Sequence, residues 1–168
     1  MSYFDSSYLF RLYWEDAGFA EVRASAAQSQ SLACALHGRA EVISICHRKF
    51  REGAASAEQF RLLVQQFQDD CAQGAFTWLS LTSAVFQRVE EVYLHAPTSV
   101  FLRAADALHL ACAREYNFGE IYSNDRHLLT AAPLFGLRGI NLIPVTWIPM
   151  LQVVTMRSLL LRNLLPFL

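Results

Sequence analysis

Four acidic residues, Asp5, Glu41, Asp106 and Asp125, lie beside apolar segments or where a helix is expected to begin. If three or four of these carboxylates converge, they repel one another and raise each other's pKa values. A hard divalent cation relieves that repulsion, and Mg²⁺ prefers oxygen ligands and bridges to phosphate oxygens. Such a centre can activate water and stabilise a leaving oxygen. Hydrolysis of a phosphodiester bond is the chemistry that these residue types suggest, provided that they come together.

Asp106 is the acid whose surroundings require an explanation by themselves. It lies in Arg-Ala-Ala-Asp-Ala-Leu-His-Leu-Ala-Cys-Ala, residues 103–113, a segment that predicts a helix apolar nearly all round. A buried carboxylate without a partner is unfavourable, so such a position usually holds a counter-charge or a cation. The simpler alternative is an ion pair with Arg103, three residues earlier on the same helix.

The other three acids each have an ordinary explanation. Asp5 and Asp125 follow predicted strands and precede predicted helices, so either could be a helix N-cap. Glu41 lies in the first turns of a predicted helix, where most glutamates are solvated, although its neighbours are apolar. A cap and a metal ligand are compatible roles, because both direct the carboxylate toward the strand ends. Asp5 and Asp125 therefore remain candidates for either role.

The elements that must position these acids alternate between strands and helices. Hydrophobic periodicity predicts strands over 3–5, 31–35, 76–81, 119–122 and 139–145, and helices over 6–14, 19–30, 36–52, 56–73, 82–96, 101–116 and 126–132. This alternation predicts a three-layer α/β/α fold with a central, mainly parallel sheet of four to five short strands. In such sheets, ligands bind outside the carboxyl ends of the strands. We expect one domain over 1–145 and an apolar extension over 146–168 with the pattern of an appended helix.

Composition restricts the classes of function that the chain can have. A net charge of −1 excludes a globally basic nucleic-acid binder, and 17% charged residues leave a weakly charged surface that favours a homo-oligomer. The four cysteines lack metal-binding spacing and indicate free, buried thiols in a reducing cytoplasm. No signal-peptide pattern opens the chain. Arg157, Arg162, Pro149 and Pro166 argue against a membrane-spanning helix in the apolar tail.

The order of the acidic motifs resembles that of the PIN domain family, and specifically its VapC-type ribonuclease toxins. The matching segments are Tyr-Phe-Asp5-Ser-Ser, Gly-Arg-Ala-Glu41-Val-Ile-Ser, Arg-Ala-Ala-Asp106-Ala-Leu-His-Leu-Ala and Ser-Asn-Asp125-Arg. The resemblance covers residues 1 to about 145, and its third and fourth motifs are the specific ones. The chain departs from the family before Glu41, where a Ser/Thr-rich strand end is missing, and in the 146–168 extension.

The resemblance implies both a site and a partner set. By this likeness Asp5, Asp106 and Asp125 bind Mg²⁺, or Mn²⁺ as a substitute, and Glu41 is a further ligand or a base that orients water. Ser123 would act through its hydroxyl or hold the fourth acid, and Ser6 would play a similar supporting part. An RNA substrate, a homodimer and a cognate antitoxin protein are implied as well, with no membrane partner.

Basic residues near the acids could bind the phosphates that flank a cut. Arg11, Arg39, Arg103 and Arg126 lie within a turn or two of the four acids in the sequence. For each, the alternative is a solvated arginine or an ion pair with one of the acids. The nearby His109 and His127 are expected to support the site or lie at the surface, because Mg²⁺ prefers oxygen ligands.

Two other hypotheses about the function are alternatives to a nuclease. A phosphatase of the haloacid-dehalogenase type also begins with an aspartate at a strand end, but it needs a second aspartate where this chain has Ser7. The other rival is a catalytically silent PIN-like module that binds RNA or protein. Retention of all four acids argues against that module, and a toxin silenced by its antitoxin would be a regulatory variant of the main reading.

Overall fold

The computed structural model describes residues 1–143, which form a five-stranded parallel sheet with helices on both faces. Its strands are β1 (Ser2–Tyr3), β2 (Leu32–Ala35), β3 (Phe76–Leu79), β4 (Glu120–Tyr122) and β5 (Arg138–Ile140). β1 pairs with β2, β2 with β3, and β4 with β5. A parallel bridge between Phe4 and Tyr122 joins the two sets, so the spatial order is β3-β2-β1-β4-β5. The strand order places β1 at the centre of the sheet.

Seven helices connect these strands within residues 1–143. They are α1 (Ser6–Phe10), α2 (Phe19–Gln28), α3 (Gly38–Arg51), α4 (Ala57–Ala72), α5 (Ser83–His95), α6 (Ala104–Glu115) and α7 (Arg126–Ala131), with a 3₁₀ turn over Ala132–Phe135. One core contains buried residues of α1 to α4, such as Leu9, Val42 and Phe67. The other core contains buried residues of α5 to α7, such as Val85 and Leu110. The predicted α/β/α fold is therefore confirmed.

Several predicted boundaries were wrong by a few residues, for local reasons. α1 ends at Phe10 rather than residue 14, because the Leu12 and Tyr13 amides bond to carbonyls three residues back, as in a tight turn. α6 begins at Ala104 rather than 101, because Arg103 has an extended backbone. β1 ends before Asp5, which caps α1 instead. The predicted fifth strand, 139–145, is shorter in the structure, because β5 covers Arg138–Ile140 and residues 141–143 are not in a strand. Residues 144–145 and the 146–168 extension lie outside the described residues.

The cysteine prediction is confirmed for three thiols and wrong for the burial of the fourth. Cys34, Cys46 and Cys112 are free and buried, whereas Cys71 is free and only half-buried. Cys71 lies near the end of the amphipathic helix α4, which presents most of its surface to solvent. Within residues 1–143, no helix combines the length and the apolar character that a membrane span requires.

Candidate active site

All four predicted acids line one cavity of about 630 Å³ at the carboxyl ends of the central strands. Asp5 follows β1 and Asp125 follows β4, while Glu41 and Asp106 lie in the first turns of α3 and α6. Neighbouring parallel strands end at the same edge, and the helices that follow or face them begin there. The sequence thus predicted the members of this cluster, and the sheet order brings them together.

Asp5 is the most buried of these acids and has no cationic side chain in contact with it among residues 1–143. Its Oδ1 accepts hydrogen bonds from the Tyr8 amide at 2.9 Å and the Ser7 hydroxyl at 2.8 Å, and its Oδ2 accepts one from Ser123. Burial raises the pKa of Asp5, against the lowering effect of those hydrogen bonds and of His109. A buried carboxylate with hydrogen bonds but no counter-charge is a favourable place for a cation.

Ser123 ties together two of the acids that follow neighbouring strands. Its buried hydroxyl donates to Asp5 and accepts a hydrogen bond from the Asp125 amide at 2.9 Å. Asp125 also caps α7, accepting bonds at Oδ1 from the amides of His127 and Leu128. The structure therefore combines the N-cap that was one alternative for Asp125 with a place on the cavity wall. The same combination holds for Asp5, which caps α1.

Arg103 bridges the remaining aspartates. Its Nε donates to Asp106 Oδ2 at 2.7 Å, and its Nη2 bonds to both Asp106 and Asp125. This is the ion pair that the sequence offered as the simpler explanation of Asp106. Partial burial would raise the pKa of Asp125, but the hydrogen bond and charge of Arg103 lower it. Arg103 thus neutralises part of the acidic cluster in the metal-free chain.

Glu41 ends a buried chain of hydrogen bonds that begins in the sheet. The Ala35 amide donates to the Tyr3 hydroxyl at 3.1 Å, and that hydroxyl lies 2.9 Å from His109 Nδ1. His109 Nε2 lies 2.7 Å from Glu41 Oε2. The tautomer that satisfies every atom has Tyr3 donating to Nδ1 and the Nε2–H group donating to Glu41. His109 is therefore a buried support of the acid, as the sequence allowed.

The hydrogen bond from His109 also fixes the charge state of Glu41. Burial alone would raise the pKa of Glu41, but His109, with a smaller contribution from Ser6, lowers it to about 2. Gly38 allows the start of α3 to lie close to the His109 ring, since a Cβ at this position would lie 2.5 Å from Cys34 Sγ and 3.4 Å from a ring carbon of His109. A larger residue would push the start of α3 away from His109.

The other predicted residues divide between the cavity and its surroundings. Ser6, Arg11 and Arg126 line the cavity. Arg11 is buried and donates to the carbonyls of Ala17 and Ser7, so its guanidinium braces the backbone. Arg39 does not line the cavity: it lies two residues before Glu41 on another helix face, and its guanidinium lies over the Trp78 ring. A contact between Arg39 and RNA stays a prediction.

Arg48, Ser7 and Asn124 are polar residues of the cavity wall that sequence reasoning did not assign to the site. Arg48 follows Glu41 by seven residues, two helical turns, and this spacing could have shown that both share a face of α3. Its guanidinium has no ion-pair partner within residues 1–143. The Ser7 hydroxyl is 2.8 Å from both Asp5 and Asn124, which links the two strand ends a second time.

The donor set of this cavity fits Mg²⁺. Asp5, Glu41, Asp106 and Asp125 offer carboxylate oxygens, which are the protein ligands that a hard cation prefers, and the cavity leaves room for water. The buried charge of Asp5 supplies an observation that favours a cation independently of the residue types. Mn²⁺ accepts the same ligands.

The Arg103→Gln substitution tests whether the arginine and a cation compete for the same carboxylates. We expect the metal-free variant to be less stable, because Asp106 and Asp125 lose their shared counter-charge. We expect its Mg²⁺ affinity to rise about three- to tenfold, since each half-exposed ion pair with Arg103 contributes about 0.2–1 kcal/mol. The measurement is the rise in Tm across a Mg²⁺ titration, with Arg88→Gln, whose partner is Glu115, as control. An unchanged Mg²⁺ response would contradict the competition.

The fold and the site together define an α/β domain with an acidic centre at the carboxyl ends of a parallel sheet. The sequence profile of the PIN domain matches residues 2–132, and the chain therefore belongs to the PIN domain family. This membership supports a nuclease-type function at the level of the family. A comparison with curated protein sequences finds no significant match.

Solved structures of low sequence identity share the fold. VapC20 of Mycobacterium tuberculosis, described as a Sarcin-Ricin loop cleaving toxin, is 15% identical with a TM-score of 0.62, over 82% of this chain and 99% of that one. FitAB bound to an IR36 DNA fragment matches with 12% identity and a TM-score of 0.65, over 86% and 97%. VapBC2 from Rickettsia felis, bound to a promoter DNA fragment, is 12% identical with a TM-score of 0.58, over 84% of this chain and 98% of that one.

Proposed function

We propose that this chain is a Mg²⁺-dependent endoribonuclease that acts as the toxin of a toxin–antitoxin pair. The observation that carries the proposal is the buried, uncompensated carboxylate of Asp5, which shares one cavity with three further acids. Membership in the PIN domain family agrees with nuclease chemistry. The similar structures include a cleaving toxin and two complexes solved on DNA, which supports an antitoxin protein as partner. A cytoplasmic homodimer stays a prediction.

In this proposal the carboxylates divide the work of hydrolysis. Asp5, Asp106 and Asp125 hold the cation, and Ser123 keeps Asp5 and Asp125 at a fixed separation through its two hydrogen bonds. When bound, Mg²⁺ supplies an activated water and stabilises the developing charge on phosphate oxygens. Arg103 must release at least one of its two carboxylates for this set to be complete.

Glu41 orients the attacking water in the proposed reaction. Its pKa of about 2 keeps it ionised at neutral pH, so it accepts a hydrogen bond from water on the face that His109 leaves free. The same low pKa makes it a weak base, which is why positioning is the larger part of its role. His109 holds Oε2 of this carboxylate at 2.7 Å, Ser6 makes a smaller contribution, and Glu41 lines the cavity in which the water would lie.

Arg48 and Arg126 are the basic residues best placed to contact the RNA backbone. Both line the cavity, and Arg48 has no ion-pair partner within residues 1–143. We expect Arg48→Ala to raise KM several-fold with little change in kcat and to reduce the slope of log affinity against log salt by about one. Arg51→Ala, at the end of the same helix and outside the cavity wall, is the control. A loss of kcat with unchanged salt dependence would contradict a phosphate contact.

One experiment tests the proposed function directly. Purified protein is incubated with structured RNAs in Mg²⁺, in Mn²⁺ and in EDTA, beside the Asp106→Asn variant. We expect cleavage in either metal and none in EDTA or in the variant. Cleavage that persists in EDTA and in Asp106→Asn would refute the metal–carboxylate mechanism. RNA that is bound but not cut in the presence of metal would support the alternative of a catalytically silent binding module.

A further inference from the structure

His37 has two buried ring nitrogens without a hydrogen-bond partner in residues 1–143. The ring lies against that of His109, a residue of the cavity wall, with centroids 4.2 Å apart, and it has a nitrogen within 4.8 Å of a Glu41 oxygen. The Ala105 carbonyl is near enough to affect its pKa, but it completes no hydrogen bond with the ring. Buried polar atoms are nearly always paired, so an unpaired imidazole beside a carboxylate suggests a missing ligand.

The three side chains around this position form a set typical of transition-metal sites. One donor atom each from His37, Glu41 and His109 lies within 4.8 Å of the other two. Zn²⁺ bound at about 2.0–2.2 Å needs tetrahedral ligand atoms about 3.3–3.6 Å apart, so closure requires movements of little more than 1 Å. Two imidazoles and one carboxylate are a known zinc ligand set that leaves one position open.

The local structure prepares both imidazoles for this role. Neither ring nitrogen of His37 is engaged in a hydrogen bond within residues 1–143, so the ring has a nitrogen available to a cation. His37 and Glu41 are four residues apart at the start of α3, which puts them on one face. A histidine bound to metal through one nitrogen usually gives the other to an oxygen, and the Tyr3 hydroxyl already lies 2.9 Å from His109 Nδ1.

We propose that His37, Glu41 and His109 form a second metal site, which binds Zn²⁺ in preference to Mg²⁺ and shares Glu41 with the carboxylate cluster. Imidazole ligands favour Zn²⁺, whereas Mg²⁺ favours oxygen, so the two centres differ in the metal that they select. Occupation of the second site moves the His109 Nε2 proton to Nδ1 and replaces the Nε2–H···Glu41 hydrogen bond with metal bonds. Glu41 is then no longer available to the neighbouring centre.

The test is Zn²⁺ binding by the full-length protein, freed of metal and then held in a large excess of Mg²⁺. We expect one Zn²⁺ per chain by competition with a chromophoric chelator, and a tetrahedral ligand-field spectrum when Co²⁺ replaces it. His37→Ala is expected to lower the Zn²⁺ affinity at least about 100-fold, since loss of a ligand should exceed the 10–100-fold loss typical of a supporting residue. His47→Ala, an exposed histidine on the same helix, is the matched control.

A carboxylate variant separates the two centres. Asp106→Asn is expected to retain the Zn²⁺ affinity, because Asp106 belongs only to the oxygen cluster. No Zn²⁺ binding in excess Mg²⁺, or binding that survives His37→Ala, would overturn the proposal. The His37 ring makes no hydrogen bond within residues 1–143, and the backbone bonds of His37 are kept in the variant, so His37→Ala should fold, and Tm verifies this.

The consequence for activity rests on the proposed ribonuclease function. Stoichiometric Zn²⁺ is expected to inhibit Mg²⁺-dependent RNA cleavage by the wild type and to inhibit His37→Ala at least tenfold less. If no RNA is cut under any condition, the ribonuclease assignment fails while the binding measurements still decide the zinc site. If Zn²⁺ binds through His37 but Mg²⁺-dependent cleavage is unaffected, the sharing of Glu41 is refuted.

Discussion

The Asp5→Asn substitution is expected to reduce Mg²⁺-dependent RNA cleavage at least about 100-fold, and to leave the metal-free chain at least as stable as the wild type. The activity falls because a proposed cation ligand is lost, which should exceed the 10–100-fold loss typical of a supporting residue. The stability is retained because an amide carbonyl can still accept from the Tyr8 amide, while a buried, uncompensated charge is removed. An ordinary structural aspartate would show the opposite effect on stability.

The pKa of Asp5 gives this stability change a definite dependence on pH. Burial raises that pKa above the ordinary value of 3.8, so the folded chain holds the proton more tightly than the unfolded chain. The ionised carboxylate therefore destabilises the metal-free fold as pH rises through the raised pKa, and this penalty is absent below 3.8. The Asp5→Asn variant should gain Tm relative to the wild type at neutral pH, and the gain should vanish in acid.

Added Mg²⁺ is expected to make the wild type more stable than Asp5→Asn, the reverse of their order without metal. A ligand that binds only the folded state stabilises it by about 2.7 kcal/mol at 100 times its Kd, so the wild type should gain Tm and Asp5→Asn should not. Asp16→Asn is the matched control, because Asp16 lines the same cavity but already pairs with Lys49 at 2.9 Å. A Mg²⁺ response retained by Asp5→Asn and lost by Asp16→Asn would place the cation elsewhere in the cavity.

The fold could be predicted because its signals are local. Each strand and helix carries its own hydrophobic period, and parallel strands joined by helices leave few topologies. The boundaries were less predictable, because they depend on competition between caps and tertiary bonds. Arg103 shows this: its sequence context continues the helix, but its side chain holds Asp106 and Asp125 and its backbone is extended.

The members of the acidic cluster could be predicted from the sequence, but the contacts between them could not. Asp5 and Asp125 stand at strand ends, so the parallel sheet alone brings them to one edge. Nothing in the local sequence shows that Ser123 joins them, because its partner Asp5 is 118 residues away. The sequence motif identifies the residue types, whereas the contact between Ser123 and Asp5 exists because β1 and β4 are neighbours in the sheet.

Sequence periodicity could not show that Tyr3 and His109 hold Glu41 in place. Tyr3 has the pattern of an ordinary core residue, and His109 lies 106 residues later in an apolar helix. Their hydrogen bond depends on how α6 packs against the sheet, which no spacing along the chain encodes. The same is true of His37, whose position near His109 depends on a close approach at Gly38.

The Tyr3→Phe substitution is expected to lower both the stability and the activity, because it cuts the hydrogen-bond chain that holds Glu41. It leaves the Ala35 amide without a hydrogen-bond partner and leaves His109 Nδ1 only the weak contact with Cys34 Sγ at 4.0 Å, both in a buried place, which should destabilise the fold by about 1–3 kcal/mol. His109 is then free to change tautomer or rotate, so its bond to Glu41 is no longer fixed. We expect kcat to fall about 10–100-fold with little change in KM.

Tyr8→Phe separates loss of stability from loss of this support. The Tyr8 hydroxyl also makes two hydrogen bonds, donating to Asn141 at 3.0 Å and accepting from the Leu142 amide at 2.7 Å. Tyr8 does not line the cavity. Its removal should destabilise the fold to a similar extent and leave kcat within about threefold, measured well below both Tm values. If Tyr8→Phe and Tyr3→Phe reduce kcat equally, the buried chain from Ala35 to Glu41 has no part in catalysis beyond stabilising the fold. If only Tyr3→Phe does, the sheet itself positions the carboxylate, because the Ala35 amide at the end of β2 fixes the hydroxyl that fixes His109.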